Sequence, residues 1–133
     1  MDRKKILKRM AQLVFFIFIL NFIAGKLYWY ISIWYFDMPM HFLGGVFVGL
    51  LAVYCSKFVK INLLELNFKE QILYVFLFTL IVGIGWEFFE IIFNNILGGQ
   101  FFNTLDTISD ICFDLSGGLA SYFVIMNKNM KVV

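Results

Sequence analysis

Three aspartates, Asp106, Asp110 and Asp114, stand four residues apart in DTISDICFDLSGG, residues 106–118. Four-residue spacing stacks side chains on one helical face. The run continues apolar, as LASYFVIM. Carboxylates striped along an apolar helix are costly, and inside a membrane they mark ion, proton or substrate sites. The spacing recurs twice. Asp37 and His41 are one turn apart, and Gly83, Glu87 and Glu90 share a face. Carboxylates gathered in a dry site cannot all stay charged alone, so some take up protons or a cation neutralises them. Carboxylate oxygens suit Mg2+, Mn2+ or Ca2+, and one imidazole shifts the preference toward Mn2+, Fe2+ or Zn2+. The expected metal ligands are therefore His41, Glu87, Asp110 and Asp106, and the expected catalytic carboxylates are Asp110, Asp114 and Glu87. Asp37 either orients His41 from the preceding turn or caps its helix. Glu90 supports the cluster or reaches the interface.

The elements that must position these groups are membrane helices. Of 133 residues, 62% are hydrophobic and 20% aromatic, whereas a soluble domain has about 45–50% apolar residues. This composition predicts an all-α, polytopic membrane protein, a four-transmembrane-helix bundle in a single membrane domain, 1–133. The expected helices cover about 10–30, 38–56, 71–93 and 105–127. The first follows a basic start, MDRKKILKR, without the small-residue cleavage site of a signal peptide. YWYISIWYF, residues 28–36, has the Trp and Tyr density of an interfacial anchor. Pro39 fits a first helical turn. Gly45-x-x-x-Gly49 permits another helix to approach closely. A polar connection over 57–70 includes INLLEL, which reads as a short surface helix. Gly98-Gly99 signals a turn, and Asn103 or Thr104 can cap the last helix. The two cysteines, Cys55 and Cys112, are isolated in apolar runs and read as small, buried and inert.

Four spans alternate the loops between two sides. The N-terminal segment, the 57–70 loop and the C-terminal tail hold Arg3, Lys4, Lys5, Lys8, Arg9, Lys57, Lys60, Lys69, Lys128 and Lys131, and the other side holds only Lys26. The positive-inside rule then places both termini in the cytoplasm of a multi-pass cell-membrane protein. With a 1.5 Å rise per residue, Asp110 lies roughly 9 Å and Asp114 roughly 15 Å below the outer start of the last helix. Glu87 lies roughly 9 Å below the outer end of the third, and His41 about one turn into the second. Three segments thus deliver six of the nine acids, with His41, to the outer-leaflet side.

A divalent ion held there would polarise a phosphoryl or carbonyl oxygen and activate water. At that depth the natural substrate is a lipid-linked envelope precursor, and the reaction a hydrolysis or transfer. Two other classes stay open: a proton- or cation-coupled small transporter working as a homo-oligomer, and a non-catalytic lipid- or antibiotic-binding membrane module. Partners are then the bilayer and a lipid-linked substrate, not nucleic acid. The bland alternatives are local. Asp106 complements the positive end of its helix, and the acids hold three helices together without chemistry.

Three stretches, FDMPMHFLGGVFVG, GIGWEFFE and DTISDICFDLSGG, resemble the YjdF-like bacterial membrane proteins and, more loosely, the VanZ-like family. The resemblance covers about 37–121. It rests on an acid or His at the head of one helix, a Glu late in the next, and D-x-x-x-[N/D]-x-x-G in the last. These map to Asp37 and His41, to Glu87, and to Asp110, Asp114 and Gly117. The resemblance implies a small bacterial integral membrane protein. Because VanZ-like proteins are associated with glycopeptide resistance, it also implies an envelope-related role. Asp114 stands where VanZ-like proteins usually have Asn, which favours the YjdF-like likeness.

Overall fold

The computed structural model describes residues 3–56, 58–59, 61–63, 65–97 and 103–130. The Gly98-Gly99 turn and Lys57, Lys60 and Lys131 of the charge count lie outside them, as do the side chains of Arg3 and Lys128. Five helices follow in order: α1 Arg3–Lys26, α2 Trp29–Ser32, α3 Asp37–Cys55, α4 Phe68–Leu97 and α5 Thr104–Met130. No strand occurs among the described residues. Three helices are long and apolar enough to cross a membrane: Lys4–Lys26, Asp37–Cys55 and Phe68–Phe93. With 27 residues, α5 has the length. It carries Asp106, Asp110 and Asp114 among small polar residues.

Local signals explain the helix bounds. α4 begins ahead of the expected Gln71 because Asn67 and Glu70 cap it reciprocally. The Asn67 N–H donates to Glu70 Oε2 at 3.0 Å, and the Glu70 N–H donates to Asn67 Oδ1 at 3.0 Å. This is the capping box, with Asn in the leading position. The surface helix expected through INLLEL is not formed. Its described residues make turns, and Leu63 is buried against α1, α3 and α4 instead. At the head of α5 the Leu105 N–H donates to Asn103 Oδ1 at 3.2 Å, so Asn103 is the cap. Tyr28, with φ 55°, separates α1 from α2, a left-handed conformation uncommon outside glycine. The following aromatic segment tucks Phe36 against Ala24 and Met40, while Trp34 and Tyr35 stay exposed. Cys112 is exposed on α5 and Cys55 half-buried, so neither is the fully buried thiol expected.

Between α3 and α5 the packing is closest, and it runs on glycine. A methyl group at Gly45 would overlap the Asp114 carbonyl, and one at Gly117 would overlap the Phe42 carbonyl. At Gly49 it would meet the Gly118 carbonyl oxygen at 2.6 Å. The partner that Gly45-x-x-x-Gly49 admits is thus α5 of the same chain. In lipid, apolar side chains gain little by meeting each other, so small residues and polar contacts hold helices together. α4 joins the pair through a stripe of Gln71, Val75, Thr79, Gly83 and Glu87, all buried. At one end the Tyr122 hydroxyl donates to Gln71 Oε1, a buried contact between α5 and α4. The large apolar side chains point outward instead: Phe15, Phe18, Phe22, Ile81 and Phe88 are all exposed. α1 packs on α3 and α2 and completes the bundle from one side.

The glycine contact gives a paired test. Gly49→Ala pushes a methyl into the α5 backbone and lowers stability by about 1–3 kcal/mol, the usual effect of overpacking. Gly85→Ala has open space around its new methyl and raises stability by about 0.5–1 kcal/mol through helix propensity. Thermal unfolding of both variants in detergent, against wild type, measures the difference.

Candidate functional site

The α3–α5 contact fixes what faces what. Gly45 admits the backbone of Asp114, so the Asp114 side chain lies one turn from His41. His41 Nδ1 is 3.5 Å from Asp114 Oδ1. The other ring nitrogen, Nε2, is 3.8 Å from Asp37 Oδ2 and 3.9 Å from Asp110 Oδ1. Both nitrogens of the single imidazole thus look at carboxylates, with α5 supplying one on each side. From α4, Gly83 makes room for the same cluster: a methyl there would stand 3.1 Å from Asp114 Oδ2. One turn on, Glu87 is only 6% exposed, and its Oε1 has no hydrogen-bond partner among the described residues. An unpartnered buried carboxylate oxygen is expensive, far more than a lost neutral hydrogen bond.

Two groups of side chains offer ligand atoms within 4.8 Å of one another: Asp37, His41 and Asp110, and His41, Glu87 and Glu90. His41 belongs to both. Of the residues singled out by spacing, the structure therefore gathers Asp37, His41, Glu87, Glu90, Asp110 and Asp114. Asp110 and Asp114 are buried and Glu90 is half-buried, while the Asp37 side chain is 44% exposed. Asp106 is exposed near the head of α5, within its first turn and outside both groups.

Beside the cluster lies a cavity of about 520 Å3 between α1, α3 and α4. His41, Asp37, Glu90 and Asp114 line its polar end. Two further polar residues reach it that spacing alone did not mark, Asn21 of α1 and Tyr30 of α2. The Tyr30 hydroxyl donates to Asn21 Oδ1. The available signal was a single amide inside the apolar run VFFIFILNFIAG. Thr79 was missed as well. It is 1% exposed, its hydroxyl has no partner among the described residues, and it sits on the Gln71–Glu87 stripe of α4.

Comparison with known proteins gives one match. The family model described as "Predicted membrane protein (DUF2238)" matches residues 1–129. No curated protein and no solved structure matches the chain.

The cluster predicts opposite effects of two neutralising changes in protein stripped of metal by a chelator. Glu87→Gln leaves stability equal or higher, because a neutral amide replaces a buried carboxylate whose Oε1 is unpartnered. His41→Ala lowers it by about 3 kcal/mol, because three carboxylates lose the group that faces them. Chemical or thermal unfolding in detergent, followed by circular dichroism, checks both.

Proposed function

We propose, on the premise that the chain belongs to the DUF2238 family of predicted membrane proteins, that it holds a divalent cation at His41 and uses it on a lipid-linked substrate. One observation carries the reading: carboxylates from α3, α4 and α5 converge on one imidazole, and one of them, Glu87, is buried with an unpartnered oxygen. The separations support it. Contacts of 3.5–3.9 Å are longer than hydrogen bonds. Two ligand atoms each about 2.1 Å from a shared ion stand about 3.0–3.4 Å apart, so small side-chain rotations close the difference. Carboxylates with one imidazole favour Mn2+, Fe2+ or Zn2+ over Ca2+.

The ligand roles follow from the ring. His41 Nε2 faces Asp37 and Asp110, so these two would hold a cation with it, and Glu87 of the second His41 group would supply a further oxygen. Asp114, 3.5 Å from Nδ1, would accept from Nδ1–H after a small rotation and fix the ring's tautomer and direction, the usual arrangement behind a metal-bound histidine. Asp114 thus takes the orienting role first expected of Asp37 in place of the catalytic one expected of it, and Asp37 becomes a ligand. Glu90 lines the cavity within the His41–Glu87 group and serves as base. A cation held there would supply polarisation of a phosphoryl or carbonyl oxygen and would make a water more acidic. Glu90 takes the water proton as the water oxygen bonds to phosphorus or carbon. The ester bond then breaks onto the leaving oxygen, which receives that proton. The likeness to YjdF-like and VanZ-like proteins adds, by analogy, an envelope-related role. The ten-to-one distribution of basic residues supports both termini in the cytoplasm and α5 as a fourth span, which puts the site in the outer leaflet.

The wild type, purified in mild detergent, is expected to carry a near-stoichiometric divalent ion by mass spectrometry. Glu87→Gln and Asp110→Asn lose it while keeping helical content. Added Mn2+ or Zn2+ at about a hundredfold excess over its dissociation constant stabilises the metal-free wild type by about 2.7 kcal/mol. A wild type with no ion, whose melting temperature neither metal raises, overturns the reading.

A further inference from the structure

The cavity beside His41 is graded, polar at one end and apolar at the other. Asp37 and His41 of α3, Glu90 of α4 and Asn21 of α1 line the polar end. Moving away from it along each helix, the walls become Val48, Val82 and Ile17, with the Thr79 hydroxyl one turn beyond Val82 on α4. Seven residues separate His41 from Val48 and eight separate Glu90 from Val82, about 10–12 Å along the helix axis. The same polarity gradient is thus written on three helices, although α3 runs down it while α1 and α4 run up it. A volume of about 520 Å3, mostly apolar walls and a few convergent polar groups are the usual make-up of a small-molecule site. The cavity also opens sideways. Val82 and Trp86 of α4 line it and yet are 37% and 50% exposed. The exposed edge of the cavity is thus formed by α4, which like α1 is apolar enough to cross a membrane, so in a bilayer this edge would meet hydrocarbon.

We infer that this cavity takes a phosphate-headed lipid that enters sideways from the bilayer between α1 and α4, its phosphate toward His41 and its chain along Ile17, Val48 and Val82. The inference rests on the cation reading. Asp37, Glu90 and Asp114 at the polar end would repel an anionic headgroup, so the phosphate binds only with the cation in place. An opening toward hydrocarbon suits an amphiphile delivered by the membrane rather than a free water-soluble phosphate. Both chemistries end in the same oxygen ligands, and the chain distinguishes them.

The test uses full-length protein in phosphatidylcholine nanodiscs with a minor fraction of diazirine-tailed phosphatidic acid. Bound metal is measured on the same samples. Mn2+-loaded wild type is expected to show saturable photolabelling on α1 and α4 peptides that face the cavity. Labelling is lost with EDTA, withstands excess inorganic phosphate, and half-saturates at about tenfold more lipid in Val82→Trp, equivalent to about 1.4 kcal/mol. Ile17→Trp, on the opposite wall, gives the same loss, and both variants keep their bound metal. Metal-loaded wild type without saturable labelling overturns this inference and leaves the cation reading standing. Labelling undiminished in both variants, or displaced by inorganic phosphate, overturns it too. A wild type that binds no metal overturns both.

Discussion

In hydrocarbon, two helices gain little from pressing apolar side chains together, and whatever holds them must come from close backbone contact and polar groups. The contact between α3 and α5 has that character. Gly45, Gly49 and Gly117 leave no room for a methyl group, and the carbonyls of Asp114 and Phe42 occupy the space where the Cβ atoms of Gly45 and Gly117 would stand. Once α5 is seated this closely, its axial register against α3 is fixed. Asp110 and Asp114 then have no other place than the two sides of the His41 ring. The arrangement of the cluster thus depends on three positions that carry no side chain.

The same contact explains why the chain tolerates so many acids in so apolar a frame. Five of nine carboxylates, Asp37, Glu87, Glu90, Asp110 and Asp114, are grouped near one imidazole rather than scattered. Grouping raises mutual repulsion, but it allows one cation, or a few shared protons, to neutralise several groups together. α4 adapts to the pair by placing Gly83 against Asp114 and then Glu87 against the cluster. α1 stays apart on the α4 side, and the space left there is the cavity.

Much of this was legible from spacing. The four-residue steps of Asp37–His41, Gly83–Glu87 and Asp106–Asp110–Asp114 fix which residues share a face, because helical geometry is set by the backbone. The Gly45-x-x-x-Gly49 signal and the Asn103 cap were equally local. What spacing leaves open is the rotation of one helix against another. The meeting of Asp114 with Nδ1 and Asp110 with Nε2 depends on how α5 docks on α3, so it is readable only in three dimensions. Asp106 shows the same limit, since it shares the stripe of Asp110 but sits above the region α3 covers and stays exposed. The INLLEL turn and the early start of α4 were missed for another reason. The capping box of Asn67 and Glu70 was present in the sequence, but an apolar run beside it suggested a helix of its own. Leu63 prefers burial in the bundle to a place on a surface helix.

The central claim is that His41 is a metal ligand, and the chain offers an unusually direct way to test it, since it contains one histidine. Pulsed electron paramagnetic resonance of the Mn2+-loaded protein detects a nitrogen bonded to the ion through its nuclear modulation. The account predicts modulation from one imidazole nitrogen, shifted when the protein is grown with 15N-histidine and absent in His41→Ala. Mn2+ bound tightly without any nitrogen modulation would place the ion away from His41 and contradict the account.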